Sequence, residues 1–210
     1  MTEQATPASA DSPSTPGRPG RRRSEESRLA ILAAAFELLG EVGYAGLTIE
    51  GIATRSGTGK QTIYRWWPSK ADVLLEALIV KADLYIPLPD TGDHRADLHA
   101  FLSATFTLAA TRPPVADALR ALMAEAQIDA RFGERFRDSL LRPRREALGT
   151  LVDRAHADGA LAPHLTPDLA VDLVFGTLWY RLLATRDPLD VTLAEQLTAT
   201  LLRAAPPAGS

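Results

Sequence analysis

The sequence predicts an all-α protein with a three-helix head at the N-terminus and a larger helical bundle after it, about nine helices in total. Three observations predict this fold. Apolar residues recur at helical spacing along most of the chain, and no segment alternates between apolar and polar residues as a half-buried strand would. Proline, glycine and small polar residues mark the ends of the helical segments. The 210 residues are 46% hydrophobic, which is enough for a substantial core.

The first predicted helix runs from about Ser24 to Glu41. Its first residue can cap it, and the two glutamates that follow complement the helix dipole. Two adjacent apolar stripes, which begin at Leu29 and Ile31, form a face wide enough to pack on two further helices. Gly43 and Gly46 are expected to form the turn after this helix.

Residues 48–67 predict two short helices around a glycine turn. Thr48 can cap the first of them with its hydroxyl group. Gly57 lies where the chain must turn sharply, at a position that usually requires a positive φ. A second helix can begin at Thr58, with its free N–H groups directed outward and suited to a phosphate. This arrangement is typical of a helix-turn-helix that places its second helix in the major groove of DNA.

The second helix divides its residues between two faces. Ile63 and Trp67, four positions apart, are expected to anchor it inward, and Pro68 ends it. A plain helical hairpin with a solvated polar face is the alternative interpretation. The segment Thr62–Lys70 favours DNA binding, because two tryptophans, a tyrosine and two cations are too much amphipathic aromatic surface for a solvated face. The residues expected to contact DNA are Thr48, Thr58, Gly59, Lys60, Gln61, Thr62, Tyr64, Arg65, Trp66 and Lys70.

Further helices follow to the C-terminus. Ser69 and Asp72 form a capping-box pattern for a fourth helix that links head and body. Pro143 is expected to kink the longest body helix, since it lacks a backbone donor. Thr166 and the residues after it are a strong helix start. The predicted ranges are 69–84, 96–110, 115–128, 131–157, 166–184 and 192–203.

The segment Thr48–Lys70 resembles the DNA-binding signature of the TetR family of transcriptional regulators. The resemblance covers residues 24–84, and the rest of the chain is similar in helix count and order, so it implies a TetR-like fold. It implies that Tyr64 and Lys70 contact phosphate and that Thr48 steadies the backbone contact of the second helix. It also implies that Gly59, Lys60, Gln61, Arg65 and Trp66 face the groove. Thr58 departs from the pattern, because the family usually has an apolar residue there.

Charge is divided unevenly along the chain, whose formal net charge is −3. Residues 18–70 contain nine Lys/Arg and five Asp/Glu, whereas the chain from Leu84 onward contains thirteen and sixteen. A basic head on an acidic body is the expected electrostatic pattern of a DNA-binding protein. Residues 1–23 are predicted to be a flexible basic arm, which acts either as a solubilising tail or as an additional contact to phosphate or the minor groove.

The predicted body, residues 85–205, is expected to bind a ligand and to form the dimer. Apolar residues of its middle helices are either core or the lining of a cleft for a mostly apolar small molecule; these are Phe101, Phe106, Leu119, Met123, Phe132 and Phe136. The last two helices form either a dimer interface or intrasubunit core, and the candidate interface residues are Phe175, Leu178, Trp179, Leu182, Leu197 and Leu201. Arg181, a cation among apolar residues, is interpreted as an interface ion pair, a snorkelling side chain or a ligand anchor.

Other activities find little support in the sequence. The four histidines are scattered, and none has a partner at a spacing typical of metal ligands. No catalytic residues, metal site or cofactor are predicted, and we expect no enzyme. The chain contains no cysteine, and we expect no apolar run that approaches the roughly 20 residues needed to cross a membrane. A cytoplasmic location is therefore expected.

The predicted function is a ligand-responsive transcriptional regulator. We expect a repressor that binds a palindromic DNA operator as a homodimer and is released by a small molecule. The alternatives are a transcriptional activator, or an all-helical binding or scaffold protein that does not bind an operator. An enzyme built into the helical body is weaker still.

Overall fold

The computed structural model describes residues 19–110 and 113–203, which form ten α-helices and two π-helical turns. The head contains α1 (Pro19–Gly46), α2 (Ile49–Ser56), α3 (Lys60–Trp66) and α4 (Lys70–Tyr85). The body contains α5 (His94–Ala110), α6 (Pro113–Ile128), α7 (Ala130–Phe136), α8 (Arg142–Ala157), α9 (Pro167–Tyr180) and α10 (Val191–Leu201). One π-turn (Arg137–Leu141) joins α7 to α8 in a continuous rod, so the described residues form nine helical rods, and the all-α prediction is confirmed.

The first helix begins earlier than predicted and is interrupted by a kink where the turn is expected. It begins at Pro19, so residues 19–23, which were expected to be part of a flexible arm, are helical. The rest of that predicted arm lies outside the described residues. At the other end, the chain kinks at Gly43, where φ is 68° and ψ is 176°, as expected for a turn at this glycine, and a short helical segment continues to Gly46. Glycine adopts this conformation without the strain that a side chain would cause.

The turn between α2 and α3 is built as the sequence predicts, except for the position where α3 begins. The Thr48 hydroxyl accepts a hydrogen bond from the Gly51 N–H at 3.0 Å, and Gly57 has a φ of 67°. The Thr58 N–H donates to the Ala53 carbonyl at 3.0 Å, which closes the end of α2. Thr58 therefore belongs to the turn, and α3 begins at Lys60 rather than at Thr58.

The long body helix becomes wider just before its proline. Pro143 is in the first turn of α8, where its missing N–H costs little, and the π-turn directly precedes α8. The irregularity expected near Pro143 is thus a π-helical turn upstream of the proline. Such turns occur often at functional sites.

A second π-turn (Arg181–Thr185) ends α9. The Arg181 guanidinium donates to the Pro188 carbonyl at 2.5 Å, in the loop before α10. Arg181 therefore holds the chain that returns toward α10, a role different from the ion pair and the ligand anchor considered from the sequence.

Two groups of buried residues form the core. The first joins α1–α4 to α6, α7 and the first π-turn, and the second joins α5, α8, α9 and α10. The core of the head therefore extends across the predicted domain boundary at residues 84 and 85. The head is packed against the body rather than attached only by the chain that links them.

One helix within the described residues is long and apolar enough to cross a membrane. It is Ser24–Gly46 of α1, so the expectation that no such segment exists was wrong. Its Ile31, Ala35 and Leu39 are buried in the core against other head and body helices. Core helices of globular proteins meet the same criteria of length and hydropathy, so this segment is weak evidence for a membrane span.

Candidate nucleic-acid interface and body cavity

Helix α3 buries one face and exposes the other. Ile63 and Trp67 are 0% and 3% exposed, as predicted for its anchors. The opposite face carries the residues expected to contact DNA: Gly59, Lys60, Gln61, Tyr64 and Arg65 are exposed, while Thr62 and Trp66 are half-buried. Arg65 lies over the Trp66 ring, with its guanidinium carbon 5.5 Å from the ring centroid. These two residues form an aromatic and cationic surface that continues beyond the helix.

A polar network that the sequence analysis missed fixes the orientation of α3. The Trp67 indole N–H donates to Glu76 of α4 at 2.6 Å, and the same carboxylate pairs with Arg28 of α1. One carboxylate thereby links three helices at the point where the chain leaves α3. The signal available in the sequence was Glu76 itself, an acid between the apolar residues Leu75 and Ala77.

Exposed ion pairs connect the outer surface of α2 to its neighbours. Lys60 pairs with Glu50 at 2.7 Å, and this pairing lowers the pKa of the Glu50 carboxyl group. Arg55 makes two hydrogen bonds to Glu41, at 2.9 and 2.7 Å. Exposed pairs of this kind contribute little to stability. Lys60 can therefore exchange Glu50 for a phosphate at small cost.

Lys70 is directed inward, which disagrees with its expected contact to phosphate. Its ammonium donates to the carbonyls of Tyr44 and Leu47, at 2.8 and 3.0 Å, and lies 4.3 Å from the centroid of the Tyr44 ring. These contacts satisfy carbonyl groups at the end of α1. In this structure Lys70 stabilises the turn before α2.

Gly59 has no packing reason to be glycine. A Cβ atom built there would meet nothing closer than the Thr62 hydroxyl at 4.0 Å, and the φ of −77° is open to any residue. Gly57 is different, because its positive φ strains any side chain. The close approach of the Gly59 backbone to DNA stays a prediction that is compatible with this geometry.

The basic excess of the head comes from the N-terminal segment. From residue 24 to residue 70, five Lys/Arg are balanced by five Asp/Glu. The four cations that make the longer segment basic are Arg18, Arg21, Arg22 and Arg23. Residues 24–70 therefore have no net charge, and the positive excess of residues 18–70 comes from these four arginines, which contribute to any long-range attraction to DNA.

Two polar contacts join the head to the body. The Tyr44 hydroxyl donates to Glu125 of α6 at 3.1 Å, and burial together with this carboxylate raises the pKa of Tyr44. Arg135 of α7 pairs with the buried Asp72 of α4 at 2.7 Å. The Asp72 carboxylate also accepts from the Ser69 hydroxyl, while its backbone N–H donates to that hydroxyl. The predicted capping pattern is therefore also part of a contact between head and body.

A cavity of about 510 Å³ lies in the body beside α4. Helices α4, α5, α6, α8, α9 and the first π-turn all contribute to its wall, which is almost entirely apolar. Its volume is within the range of small-molecule sites, roughly 300–1,000 Å³. Leu78 and Ala82 of α4 form the wall nearest the head, and Arg144, Arg145 and Asp172 are its charged residues.

Two of the six residues predicted for a ligand site line this cavity, Phe101 and Leu119. The other four lie elsewhere. Phe132 and Phe136 are each 1% exposed and stack with ring centroids 6.1 Å apart. Phe106 is fully buried, and Met123 packs beside the core shared by head and body. These four are core residues because they fill the contacts between helices rather than border a space.

The predicted dimer residues are mostly not available at the surface. Leu178, Leu182 and Leu201 are at most 5% exposed within one subunit, so they offer almost no surface to a second subunit. Phe175 and Trp179 line the cavity, and Leu197 packs beside the second core group. The exposed face of α9 and its π-turn consists instead of Leu169, Leu173, Gly176, Tyr180 and Leu183.

Comparison with known proteins agrees with this architecture. Residues 31–77 match the family model described as bacterial regulatory proteins of the tetR family. Residues 88–201, more than half of the chain, match the model described as the tetracyclin repressor-like C-terminal domain. The chain belongs to the TetR family.

Individual TetR-family proteins are similar over most of the chain. YdeS of Bacillus subtilis strain 168, an uncharacterised HTH-type regulator, is 34% identical over 180 residues, covering 85% of this chain and 89% of YdeS. A DNA-binding transcriptional repressor TetR of Mycobacteroides abscessus is 29% identical over 70% of this chain and 80% of its own length. The crystal structure of the TetR-family regulator SCO0332 is 34% identical with a TM-score of 0.69, covering 82% of this chain and 94% of that one.

Membership of the TetR family establishes the general activity. The protein is a DNA-binding transcriptional regulator of the helix-turn-helix class, and the expectation of a regulator rather than an enzyme is confirmed. Within the described part of the chain, no group of three or more His, Asp or Glu residues could hold a metal ion.

Proposed function

We propose that this TetR-family protein is a homodimeric repressor that binds a palindromic operator and is released when a small, largely apolar molecule occupies the body cavity. The observation that carries the proposal is the position of α4. Only three residues separate this helix from the end of α3, and its Leu78 and Ala82 form part of the cavity wall. A molecule in the cavity would therefore touch the helix that directly follows the DNA-contacting helix.

The contacts between head and body hold the head in one orientation, which a bound ligand can disfavour. Tyr44–Glu125 and Arg135–Asp72 hold the head in one orientation on α6 and α7. A ligand that fits the cavity better when α4 is tilted shifts the population toward a second orientation. Because binding is reciprocal, the operator must then weaken ligand binding by the same factor by which the ligand weakens operator binding.

The exposed face of α9 supports the homodimer. Its residues Leu169, Leu173, Gly176, Tyr180 and Leu183 follow spacings of four, three, four and three residues. That pattern is typical of the apolar seam of a helical bundle. A Cβ atom on Gly176 would meet nothing within 4 Å in its own subunit. Gly176 also lines the cavity, so this position borders the cavity as well as the exposed face. A twofold dimer through this face would place one head on each half-site of a palindrome.

Transcriptional repression is proposed from a relative, and a cytoplasmic location is proposed from the class of regulator. The relative from Mycobacteroides abscessus is named as a repressor, and we extend that role to this protein. A regulator of this class acts on DNA in the cytoplasm.

Operator binding is tested by fluorescence anisotropy with DNA fragments that flank the gene of the protein, at several salt concentrations. We expect nanomolar, salt-sensitive binding of two subunits to a palindrome, as is typical of specific sites. Absence of binding at low salt would contradict the proposal and favour a scaffold protein. Transcription in vitro from the same fragment distinguishes a repressor from an activator. Added protein lowers the amount of transcript if it is a repressor and raises it if it is an activator.

A further inference from the structure

The charged residues of the cavity are not equivalent. Arg145 pairs at 2.6 Å with Asp172, and both of these residues line the cavity, so their charges cancel within the wall. Arg144 also lines it, but its partner at 2.6 Å is Asp83, which lies outside the wall. The cavity is therefore an apolar space with one positive group in its wall whose counter-ion lies outside the wall.

The partner of Arg144 can be replaced at small cost. The Asp83 side chain is 58% exposed, whereas that of Arg144 is 22% exposed. An exposed carboxylate that leaves an ion pair regains its hydration, and such pairs contribute little to stability. A guanidinium in the wall of an apolar space gains more from an anion in that space, with which it can form two parallel hydrogen bonds.

The same ion pair connects the cavity to the head. Asp83 is in the last turn of α4, and Arg144 is in the first turn of α8. An anion that takes Arg144 from Asp83 removes a contact that holds α4 to the body. Recognition of the ligand and release of α4 would then be one event.

We propose that the cavity binds an amphipathic anion, a molecule with one carboxylate on an apolar body, and that Arg144 binds the carboxylate in competition with Asp83. This rests on the proposed function, in which the cavity is the effector site. It replaces a purely apolar effector with one that has a defined charge, and it names the internal carboxylate that the effector displaces.

Decanoate and 1-decanol serve as probes, because they share a chain length and differ in charge at one end. Calorimetric titration of the full chain should show decanoate binding about tenfold or more tightly than decanol, which corresponds to a charged hydrogen-bonded contact. Arg144→Gln should abolish this preference and leave decanol binding unchanged. Asp83→Asn should strengthen decanoate binding, because it removes the competing carboxylate, and should have no such effect when combined with Arg144→Gln.

Arg154→Gln is the matched control, since Arg154 is also on α8 but contacts Pro89 and Asp90 away from the cavity. It should leave the preference for decanoate unchanged. Equal binding of the two probes to the unaltered protein, or an unchanged preference in Arg144→Gln, would overturn the inference while leaving an apolar effector in place. Binding of neither probe by the folded protein would also overturn it. Operator binding, measured separately without probe, shows whether the proposed function itself fails.

Discussion

Helices α3 and α9 each bury one face in their own subunit, but their exposed faces have opposite chemistry. On α3 the exposed face is polar and basic, with Lys60, Gln61 and Arg65, and the buried face is apolar. On α9 large apolar residues lie on both faces, since Val174 is buried and Leu173 is exposed beside the ion-paired Asp172. The sequence therefore indicates which side of α3 points outward but cannot indicate this for α9.

This difference in polarity between α3 and α9 explains why the exposed face could be predicted for α3 but not for α9. A contrast in polarity around a helix identifies its outer face, because water solvates one side and the core accepts the other. A helix that is apolar on all sides has no such contrast, and its side chains are divided among core, cavity and open surface by the positions of its neighbours. The following predictions test whether the two exposed faces have the separate roles proposed for them.

The largest effect is expected from a charge on the exposed face of α9. Leu173→Glu should weaken dimerisation about 100-fold or more, because a twofold interface would bury two unpaired carboxylates. The monomer should remain folded, since Leu173 is already 37% exposed. Sedimentation equilibrium measures the dimer, and circular dichroism measures the fold.

Ile128→Glu is the control, because Ile128 is an apolar residue that is 83% exposed at the end of α6. It should leave the dimer intact. A Leu173→Glu protein that stays dimeric would place the interface elsewhere. Leu178→Glu would instead destabilise the monomer, as Leu178 is buried in its own subunit.

A second effect is expected from the N-terminal arginines. Replacing Arg18, Arg21, Arg22 and Arg23 by glutamine removes the positive excess of residues 18–70, because the charges of residues 24–70 balance. The plot of log affinity against log salt should become less steep by up to about three units if most of these arginines contact phosphates. An unchanged slope would make this segment a solubilising tail and leave DNA binding to α3 and its neighbours alone.

The head was largely predictable from the sequence because its signals are local. Thr48 caps α2 and Gly57 has positive φ, and both follow from residue type and spacing. The point where α3 begins was not predicted, because the Thr58 N–H is used to close α2. The inward direction of Lys70 also depends on a distant partner, the carbonyls that end α1.

The cavity was predictable only as a class of site. The sequence indicates an apolar body with proline irregularities, and both are present. Which apolar residues border a space depends on the distances between helices. Phe101 lines the cavity while Phe136 packs against Phe132 and Trp179, although all three phenylalanines are apolar residues at helical spacing.

The two lysines of the head should separate stability from DNA binding. Lys70→Met removes two hydrogen bonds to carbonyls and should lower the free energy of unfolding by about 2 kcal/mol. Lys60→Met should leave stability within about 0.5 kcal/mol, since its pair with Glu50 is exposed. It should reduce the salt slope of DNA binding by about one unit. The opposite pattern, with Lys70→Met changing the slope and not the stability, would restore Lys70 as a phosphate contact.

The smallest effect is expected from the hydroxyl groups of two tyrosines in the head. Tyr64 is 53% exposed on the outer face of α3, so Tyr64→Phe should weaken operator binding by on the order of 1 kcal/mol and leave stability unchanged. Unchanged affinity would remove Tyr64 from the DNA contacts.

Tyr44→Phe is the matched comparison, since the Tyr44 hydroxyl donates to Glu125 of the body. It should instead destabilise the protein by about 1 kcal/mol at neutral pH. The raised pKa of Tyr44 favours the neutral hydroxyl in the folded state. Its stabilisation is therefore present below the unfolded pKa of about 10 and is lost as the pH rises above it. Chemical denaturation across this range should show the two proteins converging in stability at high pH, and a constant difference would mean that the Tyr44–Glu125 contact does not connect head and body.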